Sequence, residues 1–173
     1  RNQDPHFASS NIFYGNNVHL ARKRLGIELA KEAPCKADLV IAIPDSGSTA
    51  AIGYSEQSGI PLDMGMVRNH YIGRTFIQPA QHIRDISVRV KLNPIKAVVK
   101  GKRLVVIEDS IVRGTTSKAR IRTLREAGAK EIHMRVSCPQ HISPCYYGID
   151  FPTKDELIAS SHTVEEIRRF IGL

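Results

Sequence analysis

The stretch Val105-Val-Ile-Glu-Asp-Ser-Ile-Val-Arg-Gly-Thr-Thr-Ser117 decides how this chain is read. It opens on a continuous apolar run, Leu104–Ile107, whose composition fits a strand covered on both faces. Two carboxylates, Glu108 and Asp109, follow at once. Adjacent charges at the end of a buried strand are unfavourable unless donors or a cation meet them. Arg113-Gly-Thr-Thr-Ser117 comes next, directly before a helical pattern. Gly114 lets backbone approach a ligand closely. Thr115, Thr116 and Ser117 offer hydroxyls and amides at a helix N-terminus, where the positive dipole end favours an anion. One loop therefore sets acceptors beside an anion cradle. A sugar phosphate needs both, since its diol wants acceptors and its phosphate wants donors. A bare acidic pair would be read as a solvated turn with an N-cap; the whole string carries the ligand reading.

Outward from that string, strands and helices alternate. The spacing of Val18, Leu25 and Leu29 predicts a helix over Val18–Glu32. Asp38–Pro44 reads as a buried strand closed by Pro44. Ala50–Ser58 reads as a helix stopped at Gly59. Pro61–Val67 reads as a strand, and Arg103–Ile107 as another. Ser117–Ala127 reads as a helix with Gly128 at its C-terminus, and Glu131–Ser137 as a strand. Thr163–Ile171 reads as a terminal helix, with Thr163 as N-cap and Glu166 in the capping-box position. Residues 1–17 are Asn-rich and read as an irregular lead-in to a single domain spanning 18–173. This order implies an α/β fold with a mostly parallel sheet flanked by helices. Ligands in such sheets sit at the C-terminal ends of the strands. The loop Pro44-Asp-Ser-Gly47 ends the first buried strand. Alone it is an ordinary turn; its position makes Asp45, Ser46 and Gly47 candidates.

The chain has 173 residues, 42% hydrophobic and 24% charged, ordinary for a soluble globular domain. Its longest apolar run lies within Ala37–Pro44, far short of the roughly 20 residues of a membrane helix. No signal-peptide pattern opens the chain, and it starts on Arg1 rather than Met, as a fragment or processed product would. Three cysteines, Cys35, Cys138 and Cys145, form no CxxC pair. They suggest free thiols in a reducing, cytoplasm-like compartment.

The net charge is +8. Arg68 to Arg103 holds nine basic residues and one acid, Asp85, which accounts for the whole excess. That concentration suggests a polyanionic partner, either nucleic acid or a multiply phosphorylated small molecule. Asn69–Asn93 carries Gly73 and Pro79 with weak periodicity, as a functional flexible loop does. Lys96 to Arg103 reads as solubility. No helix-turn-helix or aromatic RNA platform is evident, so no nucleic-acid partner is expected. No GxxxxGK[ST] occurs, which argues against a P-loop NTPase.

The Val105–Ser117 string resembles the signature of type I phosphoribosyltransferases. Asn69-His-Tyr-Ile-Gly-Arg-Thr-Phe-Ile-Gln-Pro79, Cys145-Tyr-Tyr-Gly-Ile-Asp150 and Glu156-Leu-Ile-Ala-Ser-Ser-His162 resemble the amidophosphoribosyltransferase branch of that family, over about Val18 to Gly172. The resemblance implies a Mg²⁺-dependent transfer of phosphoribose from phosphoribosyl pyrophosphate to ammonia. Glu108 and Asp109 would meet the ribose hydroxyls and Mg²⁺. The family usually has Asp at the first position, and Glu108 is one methylene longer. Ser110, Arg113, Gly114, Thr115, Thr116 and Ser117 would hold the 5′-phosphate. Asp45, Ser46 and Gly47 would face the pyrophosphate, with Ser46 near Mg²⁺. Arg68 and Arg74 would reach the leaving pyrophosphate, with Tyr71 positioning. The complete enzymes carry a glutaminase domain ahead of this one, and none is expected within residues 1–173. Some carry a 4Fe–4S cluster on four cysteines; Cys145 matches one ligand position, and one thiolate holds no cluster. A homo-oligomer in the cytoplasm, or in a plastid if a transit peptide was removed, is expected. Two alternatives remain open at this point: a non-enzymatic phosphoribosyl pyrophosphate sensor and an inactive isolated domain.

Overall fold

The computed structural model describes residues 12–13, 15–68, 92–144 and 153–173. In chain order the elements are β1 (Ile12–Phe13), β2 (Asn16–Asn17), α1 (Val18–Glu32), β3 (Leu39–Ala42), α2 (Ser48–Ser58), β4 (Met66–Arg68), β5 (Leu92–Pro94), α3 (Lys96–Val99), β6 (Arg103–Glu108), α4 (Thr115–Glu126), β7 (Glu131–Val136) and α5 (Val164–Ile171). Two 3₁₀ turns, Lys154–Glu156 and Ile158–Ser160, precede α5.

The centre is a parallel sheet in the order β3-β6-β7. Leu39–Ala42 pairs in register with Leu104–Ile107, and Arg103–Glu108 with Glu131–Val136. Side chains alternate across it, as strand geometry requires. Leu39, Ile41, Ile43, Leu104 and Val106 face one cluster with Ile121 and Leu124 of α4 and Val99 of α3. Val40, Val105 and Ile107 face the other, with Ala30 of α1 and Ala50, Ala51 and Tyr54 of α2. Helices thus cover both faces, which is why Leu39–Ala42 and Leu104–Ile107 are uniformly apolar.

Helices α1 and α2 touch backbone to backbone. A β-carbon at Gly26 would overlap the Ala50 carbonyl, and one at Gly53 would overlap the Lys23 carbonyl. The buried residues of α1 are Gly26 and Ala30, while Leu25 stands exposed. Small residues define the buried centre of its inner face, with Leu29 packed beside them. This crossing fixes α2, and so the loop that feeds it.

Most expected elements are present, with instructive shifts. The strand expected over Pro61–Val67 is two separate features. Leu62 makes one parallel bridge to Val40, and Met66–Arg68 pairs antiparallel with Leu92–Pro94 instead of joining the sheet. A turn at Asp63–Gly65 divides them, with the Gly65 N–H donating to the Asp63 carbonyl at 3.1 Å. Helix α4 begins at Thr115, two residues before the expected start. Within the lead-in, β1 and β2 form a short antiparallel pair. Thr163 and Glu166 form the expected capping box. The basic residues 69–91 lie outside the described residues, between the paired strands β4 and β5.

Candidate functional site

Glu108 is the last residue of β6 and is only 2% exposed. Its carboxylate accepts from the Arg120 guanidinium of α4. Asp109 turns outward and accepts from the Ser110 N–H at 2.8 Å. The Ser137 N–H donates to the Glu108 carbonyl at 3.0 Å, and the Cys138 N–H to the Asp109 carbonyl at 3.1 Å. These bonds extend the β6–β7 ladder past its last residues, so the acid pair rides on fixed backbone. Burial pushes the Glu108 carboxyl up to about 8, and nearby Asp109 adds to the rise against the pull of Arg120. Neighbouring acids therefore have different settings: Glu108 is buried and paired with Arg120, while Asp109 is partly exposed.

Gly114 caps α4 with φ of 75°, a left-handed conformation that glycine adopts without steric cost. A β-carbon there would also sit 3.0 Å from Ile158 Cδ1 and 3.1 Å from Phe170 Cε1. The first helical bond runs from the Lys118 N–H to the Gly114 carbonyl, at 2.9 Å. An α-helix leaves its first N–H groups without intrahelical partners, so Thr115 and Thr116 present donors to an anion.

The loop after β3 is held differently. The Ile43 N–H donates to the Ile107 carbonyl at 2.9 Å, and the Gly47 N–H to the Ile43 carbonyl at 3.1 Å. The Pro44–Asp45 peptide is cis. A β-carbon at Gly47 would lie 2.5 Å from the Ile107 carbonyl oxygen and 3.0 Å from that of Ile43. Gly47 thus lets this loop press against the end of β6. Asp45 projects outward and pairs with Arg68 at 2.8 Å.

A cavity of about 270 Å³ opens between the loops. Of the residues expected to bind the substrate, Ser46, Glu108, Asp109, Ser110, Arg113, Gly114, Thr115, Thr116 and Ser117 line it. Val112 and Arg120 line it as well. Asp45 and Arg68 line an adjoining hollow of about 480 Å³ with Ser48 and Met66. Gly47 lines neither. Arg74, Tyr71 and Cys145 lie outside the described residues. Arg120 was missed by sequence reading, although it follows the buried Ser117 by one helical turn. Glu156, which pairs with Arg113 across the chain, was missed too.

The cavity lining combines oxygen acceptors with a helix N-terminus, a complement to a sugar phosphate. Among the described residues, no cluster of three or more His, Cys, Asp or Glu could hold a metal. The donors on hand, the Asp109 carboxylate and the Ser46 hydroxyl, suit a hard cation that keeps its waters and arrives with a substrate's phosphates. No helix among the described residues is long and apolar enough to cross a membrane. Cys35 and Cys138 are free thiols.

A family model described as the phosphoribosyl transferase domain matches residues 9–145. The chain belongs to that family. Within it, the chain is 54% identical over 168 residues to the chloroplastic amidophosphoribosyltransferase of Glycine max, covering 96% of this chain and 30% of that protein. It is 57% identical over 159 residues to the amidophosphoribosyltransferase of Methanocaldococcus jannaschii, covering 92% of this chain and 34% of the relative. The solved glutamine phosphoribosylpyrophosphate amidotransferase from B. subtilis, complexed with ADP and GMP, superposes with a TM-score of 0.85 at 54% identity, covering 95% of this chain and 36% of that one. The chain therefore spans about a third of the length of these relatives. The phosphoribosyltransferase fold expected from the sequence, a parallel sheet between helices, is the one this chain adopts.

Proposed function

We propose that this chain is the phosphoribosyl-transfer part of an amidophosphoribosyltransferase. It would convert phosphoribosyl pyrophosphate and ammonia to 5-phosphoribosylamine and pyrophosphate, a step of purine nucleotide synthesis. The observation that carries the reading is the cavity lined together by Asp109, Ser46 and the first residues of α4. Relatives bearing that name, at 54% and 57% identity, support it.

In this reading the amides and hydroxyls of Ser110 to Ser117, with Arg113, hold the 5′-phosphate. Asp109 accepts from the ribose hydroxyls. The loop at Asp45–Gly47 faces the pyrophosphate, with Arg68 beside it. Mg²⁺, held by Asp109 and Ser46 with the substrate's oxygens, would supply charge neutralisation for the leaving group. The anomeric C1–O bond breaks and pyrophosphate takes the electron pair. Ammonia forms the C1–N bond and then gives a proton to solvent. Positive character builds on the ribose and negative charge on pyrophosphate, so preorganised cations lower the barrier. Arg74 and Tyr71, on the basic stretch, would complete the site and exclude water. Ammonia needs little activation, in keeping with a site whose described residues include no dedicated base. It would come free from solution or from the glutaminase domain of a longer parent. A 4Fe–4S cluster using Cys145 belongs to such a parent. Homo-oligomeric assembly, and a cytoplasmic or plastid setting, are parts of the same proposal.

Pyrophosphate release is the test. With phosphoribosyl pyrophosphate, Mg²⁺ and ammonium at alkaline pH, release should rise with the ammonia concentration. Release independent of ammonia, or none at all, would refute the assignment.

A further inference from the structure

Thr153–Leu173 lies outside residues 9–145, where the family model matches, yet its contacts converge on the loop that precedes α4. The Ile158 N–H donates to the Val112 carbonyl at 2.9 Å. Glu156 pairs with the Arg113 guanidinium. Ile158 and Phe170 pack at 3.0 Å and 3.1 Å from where a Gly114 β-carbon would stand. Lys118 Nζ lies 4.6 Å over the Phe170 ring, and Arg125 donates to the Gly172 carbonyl at 2.7 Å. Val112, Arg113 and Gly114 are each engaged by this segment, through a different interaction.

Arg113 is the only one of those three with a charge to offer a ligand. It stands on an exposed loop, where a long side chain is ordered at an entropic cost when it meets an anion. Glu156 already fixes it through one nitrogen, Nη2. A guanidinium has five N–H donors, so four remain for phosphate oxygens. Glu156 is in turn held in a 3₁₀ turn whose next residue, Leu157, is fully buried. The anchor therefore does not drift with the loop.

We propose that Glu156 is a positioning residue for the anion site: it holds Arg113 at the rim of the cavity, and Thr153–Leu173 braces the loop that carries it. This inference rests on the phosphoribosyl reading of the cavity.

A double-variant cycle in the intact protein tests it, with calorimetry of phosphoribosyl pyrophosphate plus Mg²⁺ and of ribose 5-phosphate. Glu156→Ala should weaken both ligands about five- to tenfold and raise KM, with kcat little changed. Arg113→Ala should weaken them at least as much, and the double variant should match Arg113→Ala alone. Glu156→Gln, which keeps an oxygen acceptor, should recover most of the affinity. Effects that multiply in the double variant would overturn the inference, because Glu156 would then act independently of Arg113. So would a Glu156→Ala protein with a lowered melting temperature and unchanged affinity. Asp109→Asn serves as the control. If it binds normally, the phosphoribosyl reading itself fails; if it does not bind and Glu156→Ala is silent, only the role of Glu156 falls.

Discussion

The two loops that frame the cavity end adjacent strands, yet they differ in how much of their placement rests on side chains. The loop at Pro44–Gly47 is fixed by backbone. Its glycine lies against the Ile107 and Ile43 carbonyls, and the close crossing of α1 and α2 fixes the helix it feeds. The loop at Glu108–Gly114 also takes backbone bonds, from Ser137, Cys138 and Ile158, but its charged side chains are set by partners from distant parts of the chain. Arg120 holds Glu108, Glu156 holds Arg113, and Ile158 and Phe170 flank Gly114. A backbone-held loop presents amides whose placement depends on one missing β-carbon. A side-chain-held loop presents charges whose placement depends on partners, and substitutions far from it in sequence should reach it.

That contrast is open to being broken. The largest effect is expected for Arg120→Leu, which leaves Glu108 buried without its partner. Removing one side of a buried pair costs about 3–5 kcal/mol, read as a fall in denaturation midpoint. The cost should depend on pH. The folded-state pKa of Glu108 is already raised, to about 8 from an ordinary 4.5, and losing Arg120 raises it further. A group of this kind contributes stability that is present below its unfolded pKa and lost as pH rises through the folded one. The variant should therefore lie near the parent below about pH 8 and fall away above it, where Glu108 ionises in the parent but not yet in the variant. A pH-independent loss would mean that Glu108 does not depend on Arg120. A smaller effect is expected for Gly47→Ala. The added methyl meets carbonyl oxygens that cannot swing aside, a strain of about 1–3 kcal/mol. Pyrophosphate affinity, by calorimetry, should drop while binding of ribose 5-phosphate stays close to the parent. Equal loss of both ligands would show that the loops are not separately held.

The sequence revealed the parts of the molecule that follow from local rules. Leu104–Ile107 could be read as a doubly covered strand because every residue is apolar. Thr163 and Glu166 could be read as a capping box from their spacing alone. The loop Glu108–Ser117 declared its cavity because the acids, the glycine and the hydroxyls are contiguous. What stayed hidden depends on contacts between distant residues. Helix α1 buries Gly26 and Ala30 because α2 brings Gly53 and Ala50 to them, and nothing within Val18–Glu32 signals that. Met66–Arg68 pairs with Leu92–Pro94 across 23 intervening residues, so its departure from the central sheet has no local mark. Glu108 and Asp109 look equivalent in the string. Their different settings appear only when Arg120 folds back one helix later.

The central claim is that Asp109, rather than its buried neighbour, is the acid that meets the sugar. Calorimetric titration of Mg²⁺ and phosphoribosyl pyrophosphate into the parent, Asp109→Asn and Glu108→Gln measures it directly. Loss of a charged acceptor for two hydroxyls is worth about 2–3 kcal/mol, so Asp109→Asn should bind some 50-fold more weakly. Glu108→Gln, still able to accept from Arg120, should stay within about fivefold of the parent. Undiminished binding by Asp109→Asn, or a greater loss in Glu108→Gln, would contradict the claim.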